Sequence, residues 1–395
     1  MQFHTLKGIN LKGKRVLLRS EFNVPLKNGE ITDDTRIKKS LPTIQYLISQ
    51  GAKIIICAHL GRPKGQVVEE LRLYPVAQRL SELLDHPVRK TNEIIGPEVK
   101  RVVDVLDEGD ILLLENIRFA EGETKNDKEF AKELASMADV FVSDAFGVVH
   151  RSHASTVGVA NYLPAYAGFL VEKEIQALSS VFENPKKPVV IIVAGAKMET
   201  KVAVIENFLD IADSIIVGGG IANTFLAAQG HNVGSSLYEE SEFECALRIL
   251  NKDTEGKIFL PHDVVVAEEL SEEAEAKNIV LDEMAETEKI LDMGEVSVKE
   301  AVNIIKNAGT VIWNGPIGVY EFSPFSGGTQ NIAQAMAETK ADTIVGGGDS
   351  VDAIKKFGIS EDQFTHLSTG GGASLEFLEG KELPGVKVLL LDNNQ

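Results

Sequence analysis

Arginine and glycine are distributed very unevenly along this chain of 395 residues. Ten of its eleven arginines lie within residues 1–168, whereas 22 of its 34 glycines follow that point, including the triplets 218–220, 346–348 and 370–372. A guanidinium group binds phosphate or carboxylate with a planar pair of donors, whereas glycine-rich turns let backbone N–H groups approach a polyphosphate closely. The distribution therefore predicts that the two parts of the chain bind two different anions.

Four arginines of the first part, Arg36, Arg62, Arg118 and Arg151, lie at positions that suit a common pocket. Arg62, Arg118 and Arg151 follow predicted strands, and Arg36 opens a predicted helix after the capping residues 32–35. Ligands of open parallel sheets bind beyond the carboxyl ends of the strands, so we expect the four to converge on one sheet edge. For any one of these arginines a solvated surface charge is the more ordinary interpretation, but four such placements together favour a basic pocket.

A metal site is the weaker alternative for this region. His59, His150 and His153 are possible ligands. The neighbouring arginines would repel a divalent cation, however, and no further ligand has suitable spacing.

The glycine-rich part begins with two lysines after a predicted strand at 189–193. Residues 194–201 are expected to turn and open a helix that carries Lys197 and Lys201 on one face, at spacing i, i+4. Two cations at a helix N-terminus are unfavourable unless an anion lies between them, which predicts a phosphate nearby. Two ordinary surface lysines remain the alternative.

The two best-known phosphate fingerprints, G-x-x-x-x-G-K-[ST] and G-x-G-x-x-G, are both absent. Nucleotide binding is instead suggested by the loop at 314–321, which ends in Glu321, a possible acceptor for ribose hydroxyl protons; a plain structural turn is the alternative. Asp349 follows the triplet 346–348 at a predicted helix start. An aspartate there is usually a cap, but beside a polyphosphate it needs a cation, so Asp349 is the candidate Mg²⁺ ligand.

Short β-branched runs alternate with amphipathic stretches along the whole chain, which predicts an α/β protein with parallel sheets. Its length favours two domains. Between them we predict an interdomain helix at 169–182, because Leu170, Ile175, Leu178 and Val181 suit one helical face. The expected domains are 1–168 and 183–383. The predicted strands lie at 15–18, 53–58, 111–114, 140–143, 189–193, 214–217, 310–313 and 343–345.

Composition excludes several classes of protein. A formal charge of −19 would repel a nucleic-acid backbone over most of the surface. No stretch approaches the length of a membrane-spanning helix, and the first residues do not form a signal peptide. Cys57 and Cys245 indicate neither a disulfide framework nor a zinc site, so we expect a cytoplasmic protein.

Seven segments, in this order and spacing, resemble the phosphoglycerate kinase family over essentially the whole chain. They are residues 21–25, 59–65, 114–119, 144–147, 313–316, 346–350 and 368–373. The resemblance implies an enzyme that transfers a phosphoryl group reversibly between 1,3-bisphosphoglycerate and MgADP, with a carboxyl group as acceptor. It also implies two doubly wound, Rossmann-like lobes that close by hinge bending, a C-terminal tail (384–395) returning to the first lobe, and a monomer with only small-molecule partners.

The resemblance also assigns roles to individual residues. It implies that phosphoglycerate is bound by Glu21, Phe22, Asn23, Arg36, His59, Leu60, Gly61, Arg62, Arg118 and Arg151. It implies that ADP or ATP is bound by Lys201, Gly294, Asn314, Glu321, Gly347, Gly348, Asp349 and Ser350, with Asp349 as the Mg²⁺ ligand. The groups implied around the transferring phosphoryl are Arg36, Lys197, Lys201, Gly370 and Gly371.

The sequence departs from the family pattern at four positions. Glu21 stands where aspartate is usual, Ser143 replaces an asparagine, Ala194 replaces a glycine, and Glu295 replaces a proline. Glu21 extends its carboxylate by one methylene, which puts its contact with a substrate hydroxyl in question. Glu295 puts the adenine-side contact of the adjoining Gly294 in question.

Direct in-line transfer is the expected mechanism, because phosphoryl transfer needs alignment and charge stabilisation more than a covalent nucleophile. Two other functions are compatible with two parallel-sheet lobes. The first is a nicotinamide-dependent dehydrogenase, against which the missing G-x-G-x-x-G counts. The second is a non-catalytic sensor of phosphometabolites or nucleotides, which the Glu21 departure leaves open.

Overall fold

The computed structural model describes residues 1–391, and contacts divide the chain into two compact units. The first unit combines Met1–Gln176 with the segment that begins at Glu382, and the second is Ala177–Lys381. The domain limits expected from the sequence stay predictions.

The first unit contains strands β1–β8, helices α1–α5 and the start of α6, which runs on into the second unit. Their bounds are β1 Arg15–Ser20, β2 Leu26–Lys27, β3 Glu30–Ile31, β4 Lys53–Cys57, β5 Val88–Lys90, β6 Ile111–Leu113, β7 Val140–Asp144, β8 Ala165–Ala167, α1 Thr35–Ser49, α2 Tyr74–Leu84, α3 Pro97–Asp104, α4 Glu121–Thr124, α5 Lys128–Ala135 and α6 Phe169–Glu183. Within the described residues, six strands form a parallel sheet in the order β5-β6-β4-β1-β7-β8, and β2 pairs antiparallel with β3.

Both faces of this sheet are buried, which explains why its central strands are continuous apolar runs. Val16 and Leu18 of β1 pack into one core with α1 and α2. Leu17, between them, packs into a second core on the opposite face. Because successive side chains of a strand point to opposite faces, an unbroken apolar strand serves two helical layers at once.

The second unit contains strands β9–β17 and helices α7–α13. Their bounds are β9 Val189–Val193, β10 Ser214–Val217, β11 Ile258–Phe259, β12 Asp263–Ala267, β13 Lys277–Val280, β14 Lys289–Met293, β15 Thr310–Asn314, β16 Asp342–Gly346, β17 His366–Leu367, α7 Val202–Phe208, α8 Gly219–Ala228, α9 Phe243–Lys252, α10 Glu295–Lys306, α11 Gly327–Glu338, α12 Gly348–Lys356 and α13 Gly372–Leu378.

The order of strands in the second sheet fixes where a ligand fits. Among the described residues the parallel sheet runs β11-β10-β9-β15-β16-β17, and β13-β12-β14 form a separate antiparallel sheet. The connections change direction between β9 and β15. Doubly wound sheets bind ligands at such a reversal, beyond the carboxyl ends of the strands. The predicted fold class of two doubly wound parallel sheets is confirmed.

Helix α6 follows β8 and begins beside the last residue of β7, Asp144, whose buried carboxyl group accepts hydrogen bonds from backbone N–H groups in the first turn of the helix. The Oδ1 atom of Asp144 accepts a hydrogen bond from the Leu170 N–H at 2.9 Å. Burial raises the pKa of Asp144 to about 7, against the opposing effect of its hydrogen bonds from Thr43 and the helix backbone. Asp144 therefore provides an acceptor for a backbone N–H in the first turn of α6, where such groups have no acceptor within the helix.

The last described segment of the chain packs on the rest of the first unit from helix α14, Pro384–Lys387, onward. The Gly385 N–H donates to the Val149 carbonyl at 2.8 Å, and the His4 N–H donates to the Leu389 carbonyl at 2.8 Å. Phe3 and Leu390 form an isolated antiparallel bridge. Of the predicted returning tail, residues 392–395 lie outside the described part of the chain.

The sequence locates the central strands of both sheets to within one or two residues, since all eight predicted strands are present. Of the helices in residues 1–391, none combines the length and the hydropathy needed to span a bilayer.

Candidate active site

A basic cluster lies around His59 in the first unit. His59 follows β4 and is 3% exposed. Burial holds the pKa of His59 well below its usual range, and the nearby cations Arg19, Arg118, Arg36 and Arg151 lower it further. The structure thus brings three of the four predicted arginines together beside a neutral imidazole.

Arg36 lies in the first turn of α1 and is held by the loop after β1. Its Nη1 donates to the Asn23 carbonyl at 2.8 Å and to Glu21 Oε1 at 3.3 Å. The Glu21 side chain is 3% exposed, against 40% for Arg36. Glu21 Oε2 is buried and has no hydrogen-bond partner within residues 1–391. The longer carboxylate of Glu21 therefore reaches the arginine with one oxygen and keeps the other unpaired.

Gly61 connects three of the predicted substrate residues. Its N–H donates a hydrogen bond to Asn23 Oδ1 at 2.8 Å, and its carbonyl accepts one from Arg118 Nη1 at 2.8 Å. Burial lowers the pKa of Arg118 to about 10, aided by repulsion from Arg19 and Arg151. Arg62 follows directly and its side chain is exposed.

Phe22 and Leu60 differ from the other predicted substrate residues, because their side chains belong to the core. Phe22 is 0% exposed and Leu60 is 1% exposed, and both pack in the cluster below the sheet. Their side chains are not available to a ligand, so only their backbone groups remain as possible contacts.

Arg151 lies after β7 and is oriented by a neighbouring histidine. Its Nε donates to His150 Nε2 at 3.0 Å. Burial lowers the pKa of His150 to about 4, and the nearby Arg151, His153 and Arg118 act in the same direction. His150 is therefore neutral at physiological pH, and it accepts from the guanidinium rather than repelling it.

Arg19 is a member of the cluster that the sequence did not single out as a site residue. It is completely buried at the end of β1, and its Nη2 lies 3.0 Å from His59 Nδ1. The sequence contained one signal for it: Arg19 lies near the end of a strand predicted to be buried, and an unpaired cation there is very unfavourable.

A cavity of about 650 Å³ lies at the reversal between β9 and β15 in the second unit. Loops after three strands form part of its wall, and apolar residues of β14 form another part. Glu321 and Asp349 also line it. The lining includes Gly195, Gly218, Gly219, Gly220, Leu291, Met293, Pro316, Ile317, Gly318 and Val319. The cavity therefore has an apolar part and a polar part, and the polar part is lined by two carboxylates and by the backbone of several glycines.

Asn314 and Ser350 lie beside the glycine triplet that opens α12. Both side-chain polar atoms of Asn314 are buried, with no hydrogen-bond partner in the described part of the chain. Ser350 Oγ accepts from the Gly315 N–H at 2.8 Å. Gly347 has φ +94° and precedes the helix, while Gly348 and Asp349 in the first turn are exposed. Backbone donors and a carboxylate are thus both open to a ligand here.

The predicted helix carrying Lys197 and Lys201 is wrong, because α7 starts only at Val202. Gly195, with φ +126°, leads the chain into an irregular loop, and buried Met198 donates its N–H to Glu239. Lys197 is exposed in this loop, and Lys201 occupies the cap position of α7. Burial lowers the pKa of Lys201 to about 8, against attraction from Asp349 and Glu379.

Gly294 lies behind the cavity wall rather than in it. It is buried, its N–H donates to the Asp263 carbonyl at 2.9 Å, and a Cβ atom there would lie 2.3 Å from the Asp263 carboxylate. The neighbouring Glu295 donates its N–H to Asn278 Oδ1 at 2.7 Å, a bond that proline could not make. Of this segment, Asp292 and Met293 reach the cavity.

Gly370 and Gly371 precede the short helix α13. The Gly370 N–H donates to Ser368 Oγ at 3.1 Å, so it already has a partner within the chain. Gly371 has φ +52° and occupies the cap position of α13. Of these two predicted backbone donors, Gly370 would have to exchange its serine partner before it could bind a phosphoryl oxygen.

A cationic cluster in one doubly wound unit and a carboxylate-bearing, glycine-lined cavity in the other are the arrangement expected of a nucleotide-dependent phosphotransferase. The family model described as phosphoglycerate kinase matches residues 6–381. The chain belongs to the phosphoglycerate kinase family. Its activity is the reversible transfer of a phosphoryl group from 1,3-bisphosphoglycerate to ADP, and nothing in the comparisons favours a dehydrogenase or a sensor.

Solved structures agree with this assignment over nearly the whole length of the chain. The chain is similar to phosphoglycerate kinase from Coxiella burnetii, with 45% identity, a TM-score of 0.90 and coverage of 98% of each chain. It is also similar to phosphoglycerate kinase from Pyrococcus horikoshii OT3, with 35% identity, a TM-score of 0.85 and coverage of 98% of each chain.

Proposed function

We propose that the basic cluster of the first unit binds phosphoglycerate and that the cavity of the second unit binds the nucleotide. The observation that carries this division is the group of arginines around His59, all within one unit. Four neighbouring cations repel one another, and an anion with several negative charges relieves that repulsion. A triose phosphate with a carboxyl group matches this demand.

On the phosphoglycerate side, Arg62, Arg118 and Arg151 supply charged donors, and Asn23 and Gly61 supply polar contacts near them. Glu21 offers a substrate hydroxyl the oxygen that has no hydrogen-bond partner among residues 1–391, while its other oxygen keeps Arg36 in place. Phe22 and Leu60 contribute through their backbone, because their side chains are buried.

On the nucleotide side, the apolar walls of the cavity receive the base, and Glu321 accepts the ribose hydroxyl protons. The phosphates lie at Gly347, Gly348 and Ser350, where α12 begins and its N-terminus favours negative charge. Asn314 gains hydrogen-bond partners for its buried amide, which has none in the part of the chain that the structure describes. Lys201 gains a counter-charge for its half-buried ammonium group.

Asp349 fits the role of the magnesium ligand. Residues 1–391 contain no cluster of three or more His, Cys, Asp or Glu side chains that could hold a metal ion. Mg²⁺ is commonly held by one or two carboxylates together with substrate phosphates, so one exposed carboxylate beside a phosphate site suffices. The ion would neutralise charge on the nucleotide phosphates.

Transfer then requires alignment of the acyl phosphate with the terminal phosphate oxygen of ADP, without a covalent enzyme intermediate. Arg36, Lys197 and Lys201, with the backbone at Gly370 and Gly371, stabilise the charge on the transferring group. Because donor and acceptor are bound by different units, closure of the units is part of the cycle, and it excludes water that would hydrolyse the acyl phosphate. We further propose that the enzyme works in the cytoplasm as a monomer.

The test is a coupled assay of ATP formation from ADP and 1,3-bisphosphoglycerate, with the Lys201→Met variant and a Lys299→Met control. Loss of a preorganised cation should lower kcat about 10³-fold in Lys201→Met. Lys299 is a surface residue 76% exposed, so its variant should keep the activity. Arg36→Met is examined together with Glu21→Gln, since removal of Arg36 alone leaves a buried carboxylate unpaired.

Full turnover in both Lys201→Met and the Arg36→Met/Glu21→Gln double variant would contradict the proposed roles. An inactive wild-type enzyme that binds both ligands tightly would support the sensor instead.

A further inference from the structure

Four buried side chains form a continuous hydrogen-bonded chain beneath the basic cluster of the first unit. Glu123, Ser155 and Arg19 are each 0% exposed, and His59 is 3% exposed. They come from α4, the loop after β7, the end of β1 and the loop after β4, respectively. Of the four, only His59 is predicted to contact a ligand. Arg19 is otherwise only one of the cations of the basic cluster, and Glu123 and Ser155 have no role in the transfer reaction described above.

Each bond of this chain has a single possible direction. Ser155 donates its N–H to Glu123 Oε2 at 2.9 Å and its Oγ hydroxyl to Glu123 Oε1 at 2.6 Å. Arg19 donates its Nε–H to Ser155 Oγ at 2.9 Å, its Nη1–H to the Ser20 carbonyl at 2.6 Å, and its Nη2–H to His59 Nδ1 at 3.0 Å. The guanidinium therefore lies in one fixed plane with all three nitrogens engaged.

The contact with Arg19 determines the protonation of His59. A guanidinium has no lone pair to offer, so Nδ1 of His59 must be the acceptor in that contact. The proton of the neutral ring is consequently on Nε2. The opposite tautomer would place two N–H groups against each other in a buried site.

The negative charge of the Glu123 carboxylate compensates the buried positive charge of Arg19. An isolated buried cation is strongly disfavoured, and Glu123 balances it across the serine hydroxyl. Burial raises the pKa of Glu123, but His153, Arg19 and Ser155 outweigh this effect and the net pKa lies below its usual value. His153 Nδ1 lies 3.5 Å from Glu123 Oε1 and completes the surroundings of the carboxylate.

We propose that Arg19, Ser155 and Glu123 are positioning residues that fix His59 as the Nε2–H tautomer, so that it offers an N–H donor to phosphoglycerate. The inference rests on the proposed function, in which His59 contacts that ligand. A ring with the other tautomer would present a lone pair to an anion and repel it. The sequence separates these residues by up to 136 positions, so only the fold assembles the chain.

The tautomer is measured directly in the free enzyme. Two-bond ¹H–¹⁵N correlation spectra of protein labelled in its histidines distinguish the two neutral tautomers, and a His59→Asn variant assigns the signals. We expect His59 to show an unprotonated Nδ1 and a protonated Nε2. A protonated Nδ1 in the wild-type protein overturns the proposal, whatever the activity.

Ser155→Ala tests the role of the chain, and Ser297→Ala is its matched control. Ser297 is also completely buried and donates both its N–H (2.8 Å) and its hydroxyl (2.5 Å) to a buried carboxylate, that of Asp263 in the second unit. Ser155→Ala should give a mixture of His59 tautomers and raise the KM for 3-phosphoglycerate about tenfold, with kcat changed far less. Ser297→Ala should leave both the tautomer and that KM unchanged.

Arg19→Lys distinguishes a positioning effect of Arg19 on His59 from an effect of its positive charge alone. It also provides the test if Ser155→Ala does not fold. Lysine keeps the positive charge but lacks the planar fork that joins three acceptors. A mixture of tautomers in Arg19→Lys supports positioning, whereas an unchanged tautomer together with an unchanged KM overturns it. Failure of the proposed function has a different signature: no binding of 3-phosphoglycerate by a wild-type protein in which the His59 tautomer is as expected.

Discussion

At the scale of single residues, the site contains cations whose partial burial is unfavourable, and the anionic ligands are expected to compensate their charge. Lys201 is the clearest case, because burial lowers its pKa to about 8 while Asp349 and Glu379 act in the opposite direction. At neutral pH the ammonium group is still charged, so the folded protein carries the cost of a partly desolvated cation. The same residue is proposed to stabilise the transferring phosphoryl group, so stability and activity oppose each other at this position.

We expect Lys201→Met to be more stable than wild type at neutral pH, by roughly 1 to 3 kcal/mol, although its kcat should be about 10³-fold lower. Between pH 8 and the ordinary lysine pKa of 10.5, the folded wild-type protein loses this proton while the unfolded chain retains it. The unfolding free energy of wild type therefore rises over that interval, and the advantage of the variant disappears. Denaturant unfolding of both proteins at about pH 7 and about pH 10 measures the difference. A constant difference at both pH values would show that Lys201 keeps an ordinary pKa.

At the scale of elements, close contact between the ends of β9 and β15 shapes the cavity. The loop after β15 passes so near the end of β9 that a Cβ atom on Gly315 would lie 1.9 Å from the Ala194 carbonyl oxygen, and Gly315 has φ +98°. Ala194, which replaces a glycine usual in the family, is completely buried in the core cluster of this unit, so its methyl group is accommodated. Glycine is therefore required at position 315 but not at position 194.

Gly315→Ala should lower the free energy of unfolding by more than about 3 kcal/mol, because both the backbone conformation and the Ala194 contact are violated. Gly195→Ala is the matched comparison. Gly195 also has a positive φ, +126°, but a Cβ there meets no atom of the described residues within 4 Å. Gly195→Ala should therefore lower the free energy of unfolding only by the backbone strain, roughly 1 to 3 kcal/mol. Equal losses in chemical denaturation would mean that the loop moves away from Ala194 at little cost.

At the scale of the whole molecule, the first unit depends on chain segments from both ends of the sequence. Leu389 is completely buried, and its carbonyl accepts a hydrogen bond from the His4 N–H. Trp313, the single tryptophan, is completely buried in the second unit. Tryptophan fluorescence therefore reports on the second unit, whereas circular dichroism reports on both.

Leu389→Ala should destabilise the first unit by about 2 to 5 kcal/mol through a buried cavity. Leu391→Ala, at a side chain 40% exposed, should change it by less than about 0.5 kcal/mol. In Leu389→Ala we expect the far-ultraviolet circular dichroism to begin its transition at lower denaturant than wild type, with the first unit contributing the early part. Identical circular dichroism transitions for Leu389→Ala and wild type would show that the returning segment contributes no stability.

The family, the fold class and the central strands were all predictable from the sequence. Buried parallel strands are unbroken β-branched runs, and ligand-binding loops follow their ends, so both leave local signals. The start of α7 was not predictable, because a positive φ at Gly195 and the bond from Met198 to Glu239 replace the expected helical turn. The position of Gly294 behind the cavity wall likewise depends on its contact with Asp263.

Sequence by itself determined which residue types stand at the ends of the strands, since those positions follow from local pattern and order. Tertiary structure alone decided which of them meet. Arg19 and His59 are 40 residues apart and come into contact because β1 and β4 are neighbours in the sheet. The physical reason is that strand order and burial bring distant groups within hydrogen-bonding distance, and burial then sets their protonation.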